Sequence, residues 1–118
     1  MFSVKESLVP EVGSETAAVL LEPIQSMAGV KCASEEYLKA LRKRCDEVGA
    51  LLMYDEVQTG VGRTGEMFFS GTYGVHADVI TLAKGIGSGF PLAAVLVRDS
   101  IAEKIAMGDF GHTYGGGP

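Results

Sequence analysis

Cysteine is scarce in this sequence, with only Cys32 and Cys45 present. Two cysteines make no disulfide framework, so a small secreted scaffold is excluded and a reducing, cytoplasmic-type compartment is expected. Histidine is equally rare. His76 and His112 stand far apart with no metal-ligand spacing between them, which argues against a metal site. No apolar run reaches the ~18 residues that a membrane span needs. The opening MFSVKESLVPEVG lacks the basic-then-apolar order of a secretory signal. Positive charge is also in deficit: 10 Lys and Arg against 15 Asp and Glu leave a net charge of -5, with no basic run. Neither nucleic acid nor an anionic membrane is therefore expected as a partner.

Glycine, by contrast, is plentiful. Nine of the 16 glycines cluster in TGVGRTG, KGIGSG and TYGGGP, each close to polar or ionisable residues. Glycine permits positive φ and lets a backbone approach a ligand closely, so three such clusters suggest more than ordinary turns. The length of 118 residues suits one small domain, and the 47% hydrophobic content is that of a globular chain.

Four apolar runs read as strands: 17–22 (AAVLLE), 50–54 (ALLMY), 78–83 (DVITLA) and 91–97 (PLAAVLV). They are apolar throughout, as buried strands of a parallel sheet are. Between the first two lies a helix. Ser34 is its expected N-cap, followed by Glu35 and Glu36 in the first turn. Leu38, Leu41, Cys45 and Val48 repeat at three- and four-residue steps, and Gly49 suits the position just past the end. Cys45 is expected in the core. A short further helix is expected around 100–107.

Strand, helix, strand forms a βαβ unit, so the first two strands should run parallel. The stretch 56–77 is long enough for a second crossover. The link from Lys84 to Phe90 is too short for a parallel return, so the fourth strand should be antiparallel. The expected fold is α/β, a mostly parallel sheet with one antiparallel strand. With one long helix to cover two apolar sheet faces, and Pro118 following a glycine-rich turn, the chain is expected to be an internal piece of a longer protein.

Parallel α/β sheets present functional groups beyond the C-terminal ends of their strands. Asp55 and Lys84 both stand at such ends, Asp55 opening DEVQTGVGRTG and Lys84 within TLAKGIGSGFP. Either charge alone reads more simply as a strand end reaching solvent. Together they match the needs of pyridoxal-phosphate chemistry: a lysine amine for the Schiff base and a carboxylate for the pyridine nitrogen. A donor for the ring's 3-oxygen and an apolar residue against the ring complete the set.

The motifs LLEPIQ, LRKRCDEVGALL, YDEVQTGVGRTG, ADVITLAKGIGSGFPLAAV and HTYGGGP resemble the class III aminotransferases of the acetylornithine/ornithine type, from about Thr16 to Pro118. The resemblance implies that residues 1–118 form the middle of the large domain of a fold-type I transferase dependent on pyridoxal 5'-phosphate. The upstream phosphate-binding segment and the C-terminal domain would lie outside it. It implies transamination between an amino acid or amine donor and a 2-oxo acid. Lys84 would form the Schiff base and move a proton. Asp55 would pair with the pyridine nitrogen, Val57 would pack on the ring, and Gln58 would bond the phenolic oxygen. Thr113 would bind the cofactor phosphate of the partner subunit in a homodimer.

The sequence departs from that pattern at Ser26 and Met27, where ornithine-type members carry Gly-Glu, and at His112 and Gly117. An apolar residue at the Met27 position resembles alanine–glyoxylate relatives, which stay open as an alternative. So do aminomutase, decarboxylase or racemase chemistry on the same fold, and a non-catalytic module for the isolated chain. Glu22 reads as a buried structural carboxylate, and Arg63 as a salt-bridge partner before a substrate ligand.

Overall fold

A computed structural model describes residues 6–111. A 3-10 turn over Glu6–Glu11 leads into strand β1, Ala18–Leu21. Two short strands, β2 (Ile24–Gln25) and β3 (Lys31–Cys32), pair antiparallel as a separate ribbon. Helix α1 spans Glu35–Val48 and strand β4 spans Leu51–Asp55. A one-turn helix α2, Ser70–Tyr73, precedes β5, Val79–Leu82. Strand β6 (Ala94–Val97) and helix α3 (Asp99–Ala102) follow.

The main sheet has the order β1-β4-β5-β6. β1 and β4 are parallel with Ala18 opposite Leu51, and β4 and β5 are parallel with Asp55 opposite Thr81. β6 returns antiparallel, placing Leu82 against Ala94. The expected mixed sheet is thus present, with shorter edges. Residues 91–93 stay outside β6, whose ladder starts three residues after Pro91, a residue with no N–H to donate. The helix expected around 100–107 is a single turn over 99–102 that does not continue.

Helix α1 forms where its signals stand. Ser34 is extended and its Oγ accepts from the Tyr37 N–H at 3.1 Å. Gly49 ends the helix at φ 79°, a left-handed conformation that glycine adopts without a Cβ clash. The helix buries Tyr37, Leu38, Leu41 and Cys45 against Leu52 and Tyr54 of β4, with Phe69 and Val75 closing the same core. Along β4 the burial alternates, Leu52 and Tyr54 inward and Leu51, Met53 and Asp55 half-buried, as the two-residue strand period demands. Leu20, opposite Met53, is 61% exposed, and Val95 on β6 is 63% exposed. Among the described residues, α1 covers one face of the sheet and the other is left apolar and open.

Candidate active site at the strand C-terminal edge

Because β4 and β5 are parallel and Asp55 lies opposite Thr81, both chains leave the sheet at one edge. Asp55 is the last residue of β4, and Lys84 follows β5 by two residues. Beyond Asp55 the chain turns sharply. The Asp55 Oδ1 accepts from the Val57 N–H at 3.0 Å, the Glu56 N–H donates to the Thr81 carbonyl at 3.0 Å, and the Gly60 N–H donates to the Glu56 carbonyl at 2.9 Å. Gly60 is tightly enclosed: a Cβ there would lie 2.8 Å from Leu82 Cδ2 and 2.9 Å from the Glu56 carbonyl oxygen.

This turn opens onto a cavity of about 310 Å³. Its wall includes Val57, Gln58, Arg63 and Thr64 from the turn, Ser26 from beyond β2, and Lys84. The volume lies in the small-molecule range of roughly 300–1,000 Å³. The wall carries two cations, Arg63 and Lys84, and no acidic side chain. The Ser26 Oγ is buried with no hydrogen-bond partner among the described residues. Two wall residues hold a left-handed backbone that side-chain-bearing residues seldom adopt: Lys84 at φ 51° and Val61 at φ 58°. Such strain persists where surrounding structure imposes it, and it concentrates at functional sites.

Val57, Gln58 and Lys84 therefore meet in one cavity. Asp55 shares their edge but not the wall; its side chain is half-buried and turned onto its own loop amide. Thr113 and His112 lie outside the described residues. Glu22 is only half-buried and makes no side-chain hydrogen bond among the described residues, because it sits just past the end of β1. Arg63 forms no ion pair among the described residues and faces the cavity instead. Cys45 is fully buried in the core. The described residues contain no cluster of His, Cys, Asp and Glu fit for a metal, and none of their helices is long and apolar enough to cross a membrane.

Two buried carboxylates escape a reading of the sequence. Glu56, 1% exposed, accepts from the Phe69 N–H at 2.6 Å, the Ser70 N–H at 3.3 Å and the Thr59 hydroxyl at 3.2 Å. Asp78 at the opposite edge accepts from the Leu52 N–H at 2.7 Å and from Arg42 at 2.8 Å, and also pairs with Arg98. Glu56 continues the inward alternation of Leu52 and Tyr54, a signal that points it at the core. Asp78 has no comparable local signal, because its partners lie 20 to 36 residues away.

The donor set at this edge fits pyridoxal phosphate. It offers an amine for the aldehyde, a carboxylate within a residue or two of the wall, an amide donor, an apolar side chain and an unpartnered hydroxyl. A family model described as aminotransferase class-III matches residues 3–118. The chain is 49% identical over 107 residues to the mitochondrial acetylornithine aminotransferase of Yarrowia lipolytica, covering 91% of this chain and 26% of that protein. It is 52% identical over 107 residues to the acetylornithine aminotransferase of Rhodobacter capsulatus, covering 91% and 27%. The structure of N-acetylornithine aminotransferase from Stenotrophomonas maltophilia superposes with a TM-score of 0.80 at 41% identity, covering 86% of this chain and 29% of the other. The chain thus spans about a quarter to three-tenths of the length of these relatives.

Proposed function

The chain belongs to the class-III aminotransferase family, and from that premise we propose that it is the middle of the large domain of a longer, pyridoxal-phosphate-dependent aminotransferase. The observation that carries this reading is the single cavity shared by Lys84, Gln58 and Val57, at the edge where Asp55 also ends its strand. When bound, the cofactor supplies an electron sink for the negative charge left on carbon when a proton departs. The Lys84 Nζ would provide the amine that holds the cofactor and, once released from it, would be the group that carries the proton. The strained backbone at Lys84 limits how that side chain can be presented to the cavity. The Asp55 carboxylate would keep a ring nitrogen protonated, Gln58 would donate to a phenolic oxygen, and Val57 would pack on a ring face.

The reaction transfers an amino group between an amino acid or amine donor and a 2-oxo acid. An acetylornithine- or ornithine-type donor is favoured by the named relatives. The alanine–glyoxylate type is the second reading, favoured by Ser26 and Met27: Ser26 lines the cavity, Met27 is 93% exposed, and neither supplies a carboxylate. A homodimer in which Thr113 reaches the partner's cofactor belongs to the same reading and rests on the HTYGGGP resemblance. The absence of a disulfide framework favours a reducing, cytoplasmic-type compartment. The isolated chain is expected to be inactive and prone to associate through its open apolar face, which carries Leu20.

The test uses the full-length protein. Borohydride should fix the cofactor irreversibly on the peptide that contains Lys84, read by mass. Lys84→Ala should abolish both that adduct and turnover. Asp55→Ala should keep the adduct and lower kcat by about 10²–10³, the scale of one preorganised electrostatic contact. Wild-type turnover in Lys84→Ala refutes the assignment.

A further inference from the structure

Glu56 is the only acidic residue among the described ones that is 1% exposed, and the chemistry proposed above gives it no part. It forms no ion pair among the described residues. Three neutral donors converge on its two oxygens instead. Oε2 takes the Phe69 N–H at 2.6 Å and the Thr59 hydroxyl at 3.2 Å, and Oε1 takes the Ser70 N–H at 3.3 Å. One donor, Phe69, ends the 57–69 loop, Ser70 opens helix α2 directly after it, and Thr59 stands near the loop's start. The carboxylate therefore closes the loop on itself at a buried point directly behind the strand end that carries Asp55. Seven of the eleven residues lining the cavity lie within 57–64, the first half of that loop. The Glu56 main chain is fixed on both sides as well, through its N–H to Thr81 and its carbonyl to Gly60.

Resting on the cofactor reading above, we infer that Glu56 is a positioning residue whose charged carboxylate clamps the 57–69 loop and so sets the cavity wall against which the cofactor ring is oriented. Asp55 and Glu56 divide the work by strand alternation, Asp55 toward the site edge and Glu56 inward. Two accepting oxygens are required at the clamp. A carboxamide of the same size would turn an NH₂ donor toward one of the two backbone N–H groups, leaving it without an acceptor in a buried place. A loosened loop would let Val57 and Gln58 shift against Lys84, and small displacements of positioning groups are costly in a preorganised site.

The experiment uses the full-length protein and three variants: Glu56→Gln, Glu56→Asp and Thr59→Val. The readouts are the dissociation constant for pyridoxal phosphate and the visible circular dichroism per bound cofactor, which reports ring orientation. Glu56→Gln should weaken cofactor binding about tenfold, the size of losing one charge-assisted hydrogen bond, and diminish the dichroism. Glu56→Asp keeps the charge and should recover part of both. Thr59→Val should move both in the same direction by less. If Glu56→Gln yields no soluble protein, the other two variants decide by the same readouts. Borohydride fixation on the Lys84 peptide of the unaltered protein separates the two ideas. Its absence defeats the cofactor reading and the role of Glu56 with it. Normal fixation, with unchanged affinity and dichroism in the soluble variants, overturns the role of Glu56 alone.

Discussion

Asp78 ties three elements together far from the cavity, and its removal should cost stability in a calculable order. The carboxylate is 3% exposed and receives the Leu52 N–H of β4, the Arg42 guanidinium of α1 and the Arg98 guanidinium that follows β6. Asp78→Asn keeps the shape and an oxygen for the Leu52 N–H but deletes the charge that both arginines face. Breaking a fully buried pair costs about 3–5 kcal/mol. Here the stranded cations have relief: Arg98 is 56% exposed, and Arg42 also pairs with Asp46 at 2.7 Å. The expected loss is therefore about 1.5–3 kcal/mol, the range for hydrogen bonds to charged groups. Arg98→Met, acting at an exposed partner, should cost only about 0–1 kcal/mol. Hydrogen exchange of the peptide covering β4 in the full-length protein measures this directly, because the Leu52 amide is bonded to Asp78. Its exchange should quicken by about 10- to 150-fold in Asp78→Asn at the rate of tenfold per 1.4 kcal/mol. The pH dependence has a definite sign. Burial pushes the Asp78 carboxyl up, but the Leu52 amide and the two arginines outweigh it and hold it below its ordinary value. A folded value below the unfolded one means the contribution is full above the unfolded pKa and is lost as pH falls through the folded one. Acid sensitivity from Asp78 should thus appear only below about pH 4, and Asp78→Asn should flatten it. Exchange that is unchanged in Asp78→Asn, or an Arg98→Met as costly as Asp78→Asn, would refute the account.

Gly60→Ala should destabilise the full-length protein by about 1–3 kcal/mol in urea unfolding, since its new methyl would press on Leu82 and on the Glu56 carbonyl. It should also weaken cofactor binding, because Gly60 sits in the turn that forms the cavity wall. Tyr54→Phe should be neutral or stabilising by up to about 1 kcal/mol, because the Tyr54 hydroxyl is buried without a partner among the described residues. A clear loss of stability in Tyr54→Phe would show that this hydroxyl is satisfied in the full-length protein.

What could be read in advance was whatever is encoded locally. Helix α1 is bounded by Ser34 and Gly49, whose capping chemistry acts within one turn, and its buried face follows from spacing alone. Strand pairing was legible because connection length decides it: the short link after Lys84 cannot return parallel, and β6 does not. The shared edge of Asp55 and Lys84 followed from those two rules together. The residues that escaped depend on contacts across long separations. Asp78 meets Arg42 over 36 positions and Leu52 over 26, and nothing near Asp78 in sequence marks it as buried. Glu22 is half-buried rather than buried for a related reason, since exposure at a strand end depends on neighbours that spacing does not supply. Glu56 is the instructive case, because its signal was local after all. Extending the Leu52–Tyr54 alternation by one step sends a carboxylate into the core beside the residue expected to serve the cofactor. A buried charge persists only where donors satisfy it, so its position alone implies that the following loop must fold back to provide them. Phe69 and Ser70 do so, at the far end of the loop whose first half lines the cavity with Gln58.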